Sequence, residues 1–235
     1  MGPRQYDLFR IRTKSVKGVP MDRELYLIRH GETLFNVQHK TQGWCDSPLT
    51  ERGIEQCRVA GKTLAARGLT FDSFYSSTSE RCSDTLELVM EAAWGQVFPY
   101  ERRKGLKEHN FGAFEAKDQF LEIFPHGDFY ANYGGETEDE ALSRYISAVD
   151  AMMAESTGRV LACTHGGVNI MLFRALMEGR EVGQQPFGNC VCYHYLYDMD
   201  KRGLDALTWV ETFAPDDRLL AEAGIAPQVA WVKGS

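Results

Sequence analysis

Apolar positions along this chain follow two periods, one of strands and one of helices. Residues 25–28 form a short unbroken apolar run, the pattern of a strand covered on both faces, and a strand is expected over 24–29. From Thr50, an N-cap residue, Ile54, Cys57, Gly61, Leu64 and Ala65 recur at helical spacing until Gly68. Residues 71–76 alternate weakly and predict a second strand. Ser77-Thr78-Ser79-Glu80 has the spacing of a capping box and predicts a helix to about Ala93. A short strand is expected over 97–100. Thr137 and Glu140 repeat the capping-box spacing ahead of Leu142, Tyr145, Val149 and Met152, which line one helical face. A buried strand at 160–163, a helix over 168–177 and a strand at 189–197 follow. Residues 206–213 pair back across a turn at 200–203.

Strands alternating with helices predict an α/β three-layer sandwich. Its central sheet is mostly parallel, helices cover both faces, and an antiparallel hairpin closes it. The 235 residues fit one large domain over 21–235. Residues 1–20 read as an arm, with Arg4, Arg10, Arg12, Lys14 and Lys17 against Asp7 alone. It is an upstream or appended extension, or a basic tail that contacts a partner. Residues 106–135 hold Phe111, Phe114, Phe120, Phe124, Phe129, Tyr130 and Tyr133, broken by Gly112, Pro125 and Gly127. Two loops around a short helix at 115–123 are expected there, forming either a lid over a pocket or a satellite core.

The net charge of −7 argues against general nucleic-acid binding, which needs clustered cations facing phosphates. A small anion held by a few local arginines is compatible with it. No apolar run reaches the roughly 20 residues of a membrane span, and no secretory pattern is visible. The six cysteines lack metal-ligand spacing, and several fall inside apolar patterns, so reduced core thiols in a cytoplasmic protein are expected.

Two strands end in His-Gly, at Arg29-His30-Gly31 and at Thr164-His165-Gly166-Gly167. If they are parallel neighbours, both imidazoles emerge at the carboxyl edge of one sheet, where open α/β sheets bind ligands. Arg81 sits in the first turn of a predicted helix, where a cation opposes the helix dipole at a cost of about 0.3–1 kcal/mol. Such a broken local rule points to function. Two arginines, two histidines, a helix N-terminus and the amide of Asn36 suit a tetrahedral oxyanion.

These residues resemble the histidine phosphatase superfamily in its phosphoglycerate-mutase-like branch. The resemblance runs through Leu27-Ile28-Arg29-His30-Gly31-Glu32-Thr33 with Asn36, Gln42-Gly43-Trp44, Asp46, Pro48-Leu49-Thr50 and Gly53. It continues at Ser76-Ser77 with Arg81 and Thr85, at Leu106, Glu108, Phe111-Gly112 and Phe114-Glu115, at Gly135-Glu136 and at Thr164-His165-Gly166-Gly167. It implies that His30 is the nucleophile and that Arg29, Arg81, His165 and Asn36 hold the transferred phosphoryl group. Gln42, Gly43 and Gly166 complete the expected substrate contacts. Glu108 would protonate the leaving oxygen and then activate water. No cofactor or metal is implied, and a homodimer is allowed. The partner expected is a small phosphorylated metabolite, with no nucleic acid and no membrane. Ala116 departs from the family, which often has glycine after the acidic residue.

The branch contains phosphatases and 2,3-bisphosphoglycerate-dependent mutases. The mutases carry a long insertion with a lysine and paired arginines. Here the stretch from Glu108 to Glu136 is short, with His109, Lys117 and His126 as its basic residues. A metal-independent phosphomonoesterase working through a phosphohistidine is therefore expected. A mutase, or a non-catalytic phosphate-binding protein, is the alternative.

Overall fold

The computed structural model describes residues 23–119, 127–180, 183, 185–226 and 230–232. The expected arm over 1–20 lies outside them. The six-stranded sheet contains β1 (Arg23–Arg29), β2 (Ser73–Ser77), β3 (Glu101–Arg103), β4 (Arg159–Thr164), β6 (Cys192–Tyr197) and β7 (Leu207–Phe213), in the order β3-β2-β4-β1-β6-β7. The first four strands are mutually parallel, β6 runs antiparallel beside β1, and β7 pairs antiparallel with β6 at the edge. A separate pair joins β5 (Gln185–Phe187) to β8 (Ala230–Val232).

Alternation along β1 divides the core. Leu25 and Leu27 pack on one face with Tyr145, Val149 and Met152 of α4 (Glu138–Glu155) and Leu172 and Phe173 of α5 (Gly166–Met177). Tyr26 and Ile28 point to the other face, against Cys57 and Leu64 of α2 (Glu51–Ala66) and Leu86 and Val89 of α3 (Glu80–Trp94). Each large apolar side chain so buried contributes about 1.5–3 kcal/mol, and helices are held on both faces, as the sequence predicts. The one-turn α1 (Leu34–Val37) is fixed by a capping box between Thr33 and Asn36. At the far end, α6 (Asp217–Glu222) places Leu220 beside Val59 of α2. No helix among the described residues is long and apolar enough to cross a membrane. All six cysteines are free, and all but Cys45 are buried.

Three local expectations need correction. The strand expected at 97–100 forms one step later. Phe98 stacks on Phe74 at 5.2 Å between ring centroids, and Tyr100 donates its hydroxyl to Glu87 at 2.6 Å. Those residues pack as side chains, and the charged triplet Glu101–Arg103 pairs with β2 as an edge strand. In place of the first turns of a helix at 115–123, residues 115–118 make a turn bridged to Lys40 through Asp118; residues 120–126 lie outside the described set. Short 3₁₀ turns at Gly112–Phe114 and Gly127–Tyr133 replace the expected loops, and Phe111, Phe114, Phe129, Tyr130 and Tyr133 pack on one another in edge-to-face and tilted ring contacts. The strand expected from 189 begins at Cys192, because Cys190 takes a left-handed φ of 60° in the preceding turn.

Ala116 also lies in the left-handed region, at φ 62°, which costs a residue with a Cβ about 1–2 kcal/mol. The greater unfolded-state freedom of glycine offsets part of that. Ala116→Gly should therefore stabilise the fold by about 0.5 kcal/mol, read from the urea unfolding midpoint.

Candidate active site

His30 follows β1, and His165 follows the neighbouring parallel strand β4, in register from Glu24↔Arg159 to Arg29↔Thr164. The two rings come together at the carboxyl edge, 5.4 Å apart between centroids and inclined at 66°. Ser77 ends β2, the next strand over. Three adjacent parallel strands thus deliver three polar side chains to one point, beside the boundary where antiparallel β6 meets β1.

Each imidazole is fixed in orientation. His30 Nδ1–H donates to its neighbour's carbonyl, Gly31 O, at 2.8 Å, which leaves Nε2 with its lone pair. The backbone of this turn is held on all sides. His30 N–H donates to Thr164 O, Gly31 N–H to Thr85 Oγ1, and Asn189 Nδ2 to His30 O at 3.0 Å. His165 accepts from Arg81 Nη2 at Nδ1 (2.8 Å) and donates from Nε2 to Ser77 Oγ (2.8 Å). Ser77 therefore does not cap α3. Ser79 is the N-cap, with no side-chain capping bond, and the Ser77 hydroxyl is turned to the site.

Arg81 is fully buried in the first turn of α3. Gly43 O, Cys45 O and Asp46 Oδ1 accept from its guanidinium at 2.8, 2.8 and 2.9 Å. The other carboxylate oxygen of Asp46 accepts from Glu80 N–H at the start of the helix. One carboxylate thus caps the helix and balances the cation that opposes its dipole. The guanidinium of Arg29 lies 5.0 Å from the Phe187 ring centroid, and no other described residue accepts a hydrogen bond from its buried Nε. Arg81 Nε is likewise without a protein acceptor. A Cβ on Gly166 would meet Arg29 Nε and Cζ at 3.0 Å, so a side chain there would make the guanidinium give way by a few tenths of an ångström.

Glu108 is buried against the start of α5. Its carboxylate accepts from the backbone N–H groups of Gly167 (2.7 Å), Val168 (2.9 Å) and His109 (2.9 Å). Asn36 Oδ1 accepts from Thr33 N–H and Asn189 Nδ2. Gln42 is engaged with Thr33 and Ser47, at 2.7 and 3.0 Å. Gly43 spends its carbonyl on Arg81 and its N–H on Glu115. Gln42 and Gly43 thus build the walls that carry the charged groups.

Sequence reasoning placed Asp46, Ser77 and Glu115 in the resembling motifs, and Ser77 in a capping box, but gave none of them, nor Asn189, a role in the site. Glu115 accepts from four backbone N–H groups, of Gly43, Trp44, Cys45 and Phe111, at 2.7–3.1 Å. Carbonyls of that same loop hold Arg81, so the carboxylate acts on the site through it. Asn189 follows Gly188, a turn signal that could have marked it, although the sequence reading places it at the start of a strand.

Burial, followed by the Arg81 and Arg29 charges, pushes the His30 pKa well below the usual imidazole range. For His165 the causes are burial, then Arg81, then His30. Both rings are therefore neutral near pH 7. Burial and the neighbouring Glu115 push the Cys45 thiol up to about 12.

The lowered imidazole pKa values fix the sign of a pH effect. Below pH about 6.5 the unfolded chain takes up protons that the folded one refuses. Stability should then fall as pH drops from 6.5, by about 1.4 kcal/mol per unit for each imidazole, and be level in this respect above it. Urea midpoints between pH 7.5 and 5.5 should show this, and His165→Asn should reduce the slope. Glu115→Ala strands four N–H groups and should cost about 3 kcal/mol in the same assay, whereas an exposed carboxylate such as Glu91 should cost under about 0.5 kcal/mol.

Over 91 residues, 39% of this chain, the sequence is 37% identical to a 2,3-bisphosphoglycerate-dependent phosphoglycerate mutase of Bradyrhizobium diazoefficiens. A mutase of the same name from Beijerinckia indica is 38% identical over 92 residues. The matched stretch spans 44% of the length of each of these relatives. Phosphoglycerate mutase from Bacillus anthracis superposes with a TM-score of 0.69 at 25% identity, covering 86% of this chain and 97% of that one. Bacillus stearothermophilus YhfR gives 0.64 at 29%, covering 75% and 92%. A mycobacterial glucosyl-3-phosphoglycerate phosphatase in complex with VO3 shares the fold, with a TM-score of 0.62 at 23% identity over 80% and 96% of the two chains. Residues 25–212 match the histidine phosphatase superfamily, branch 1, and span both His-Gly turns; the chain belongs to that superfamily.

Proposed function

We propose that this chain is a metal-independent phosphomonoesterase acting on a small phosphorylated metabolite through a phosphohistidine at His30. The observation that carries the reading is the state of His30. Its Nδ1–H is spent on Gly31 O, its ring is neutral, and its free Nε2 faces a second imidazole and two arginines. A neutral imidazole nitrogen is a nucleophile at pH 7 without further activation.

The chemistry follows from charge. In-line attack by Nε2 forms the N–P bond as the ester P–O bond breaks. Negative charge spreads over three equatorial oxygens. Arg29 offers a guanidinium that no described residue engages at Nε, and the buried Nε–H of Arg81 adds a second preorganised donor, which stabilise that charge without reorganising; His165 holds Arg81 in place through Nδ1. Asn36 contributes its amide, and the close approach at Gly166 lets Arg29 reach the group. Glu108 protonates the leaving alcohol, then takes a proton from the water that cleaves the N–P bond and returns His30.

Hydrolysis is favoured over mutase chemistry by the short stretch from Glu108 to Glu136. A mutase must hold its bisphosphorylated intermediate and shut out water, and this stretch brings few cations to the site. The mutase names of the matching relatives support the alternative reading.

Orthophosphate release from a panel of phosphomonoesters tests the proposal. His30→Ala should abolish it, and acid quenching of the wild type should trap an acid-labile, base-stable phosphoryl group absent from the variant. Glu108→Gln should lower kcat by about 10²–10⁴-fold, least for esters of acidic phenols. The rate should show no loss of an essential base near pH 6.5. Interconversion of phosphoglycerates without phosphate release would overturn the reading.

A further inference from the structure

Beside Glu108 lies a cavity of about 320 Å³, at the small end of the range for small-molecule sites. It adjoins the proposed acid–base carboxylate through two of its lining residues. Gly167 donates its N–H to Glu108, and His109 follows Glu108 in the chain.

The walls are mainly apolar. Phe111 and Leu142 stand on one side, and Ile170 and Met171 of α5 on the other. His109 presents its ring as wall, because its Nε2–H is committed to Glu136 O at 2.7 Å. Phe111 is held in place by ring contacts with His109 and Tyr130. Charge is confined to the rim, where Glu138 and Asp139 outnumber Arg174 among the described lining residues. Both carboxylates fall in the first turn of α4, whose dipole offsets about half a charge. Asp139 thus brings a negative group to the rim, in contrast to the cationic floor around His30.

We propose that this cavity receives the leaving group and selects phosphomonoesters whose alcohol is an apolar, ring-sized body without negative charge. The inference rests on the phosphomonoesterase reading and adds the substrate class. An apolar body gains by leaving water for walls of Phe111, Leu142, Ile170 and Met171. A carboxylate on that body would lose hydration there and meet like charges at the rim.

Three phenyl phosphates with leaving phenols of closely matched acidity test it: 4-ethylphenyl phosphate, tyramine O-phosphate and the O-phosphate of 3-(4-hydroxyphenyl)propionate. The first two should exceed the third in kcat/KM by about tenfold, the effect of about 1.4 kcal/mol. Asp139→Lys leaves the Thr137–Glu140 capping box intact. It should raise kcat/KM for the propionate ester and lower it for the tyramine ester. Values equal within twofold for all three, or a ratio that Asp139→Lys does not move, would overturn the cavity's role while leaving the phosphomonoesterase reading in place. Failure to hydrolyse any of them, 4-nitrophenyl phosphate included, would overturn that reading and the inference with it.

Discussion

A guanidinium without solvent exposure, lodged at the positive end of a helix, is the constraint on which this structure turns. Arg81 would be costly in that position if isolated, since a buried charge must be paired and hydrogen-bonded to be tolerated. The protein meets the requirement with two loop carbonyls, one carboxylate and the Nδ1 acceptor of His165. The last of these links the cation to the chemistry. An imidazole that accepts from Arg81 must carry its proton on the other nitrogen, and the Ser77 hydroxyl is there to receive it. The same positive charge also helps keep His30 neutral.

The supports of Arg81 are themselves supported. Glu115 gathers the N–H groups of the loop that offers those carbonyls, and its reach of about 70 residues in sequence closes the segment after Glu108 onto the segment after His30. Glu32, the acidic residue of the His30 turn, is similarly structural. It accepts from Thr50 Oγ1 at 2.8 Å and pairs with Arg52, fixing the start of α2 against the end of β1. Carboxylates here do two kinds of work. Glu32, Asp46 and Glu115 organise backbone and cations, and Glu108 is the one positioned beside the cavity.

Much of this was legible in the residues alone. The apolar run before His30 and the second strand before His165 predict two parallel neighbours delivering imidazoles to one edge. Arg81 stands out because it violates the dipole rule, and Thr137 with Glu140 marks the start of α4 correctly. The misses have a common physical origin. Local patterns do not reveal when a side chain is taken for a tertiary purpose. Ser77 fits a capping box by spacing, yet His165 claims its hydroxyl. Val97, Phe98 and Tyr100 look like strand residues, yet Phe98 is better buried against Phe74 than paired in a ladder. Glu115 resembles any half-exposed carboxylate until the fold brings four amides to it.

The order of strands in the sheet has a consequence for biosynthesis. β1 is flanked by β4 and β6, and Glu24 meets Arg159 across 135 residues of chain. One edge of this apolar strand stays bare on the ribosome until β4 has emerged, and the other until β6 has followed it. The nascent chain therefore carries His30 long before the pocket around it exists, and must be kept from pairing with other unfinished chains meanwhile.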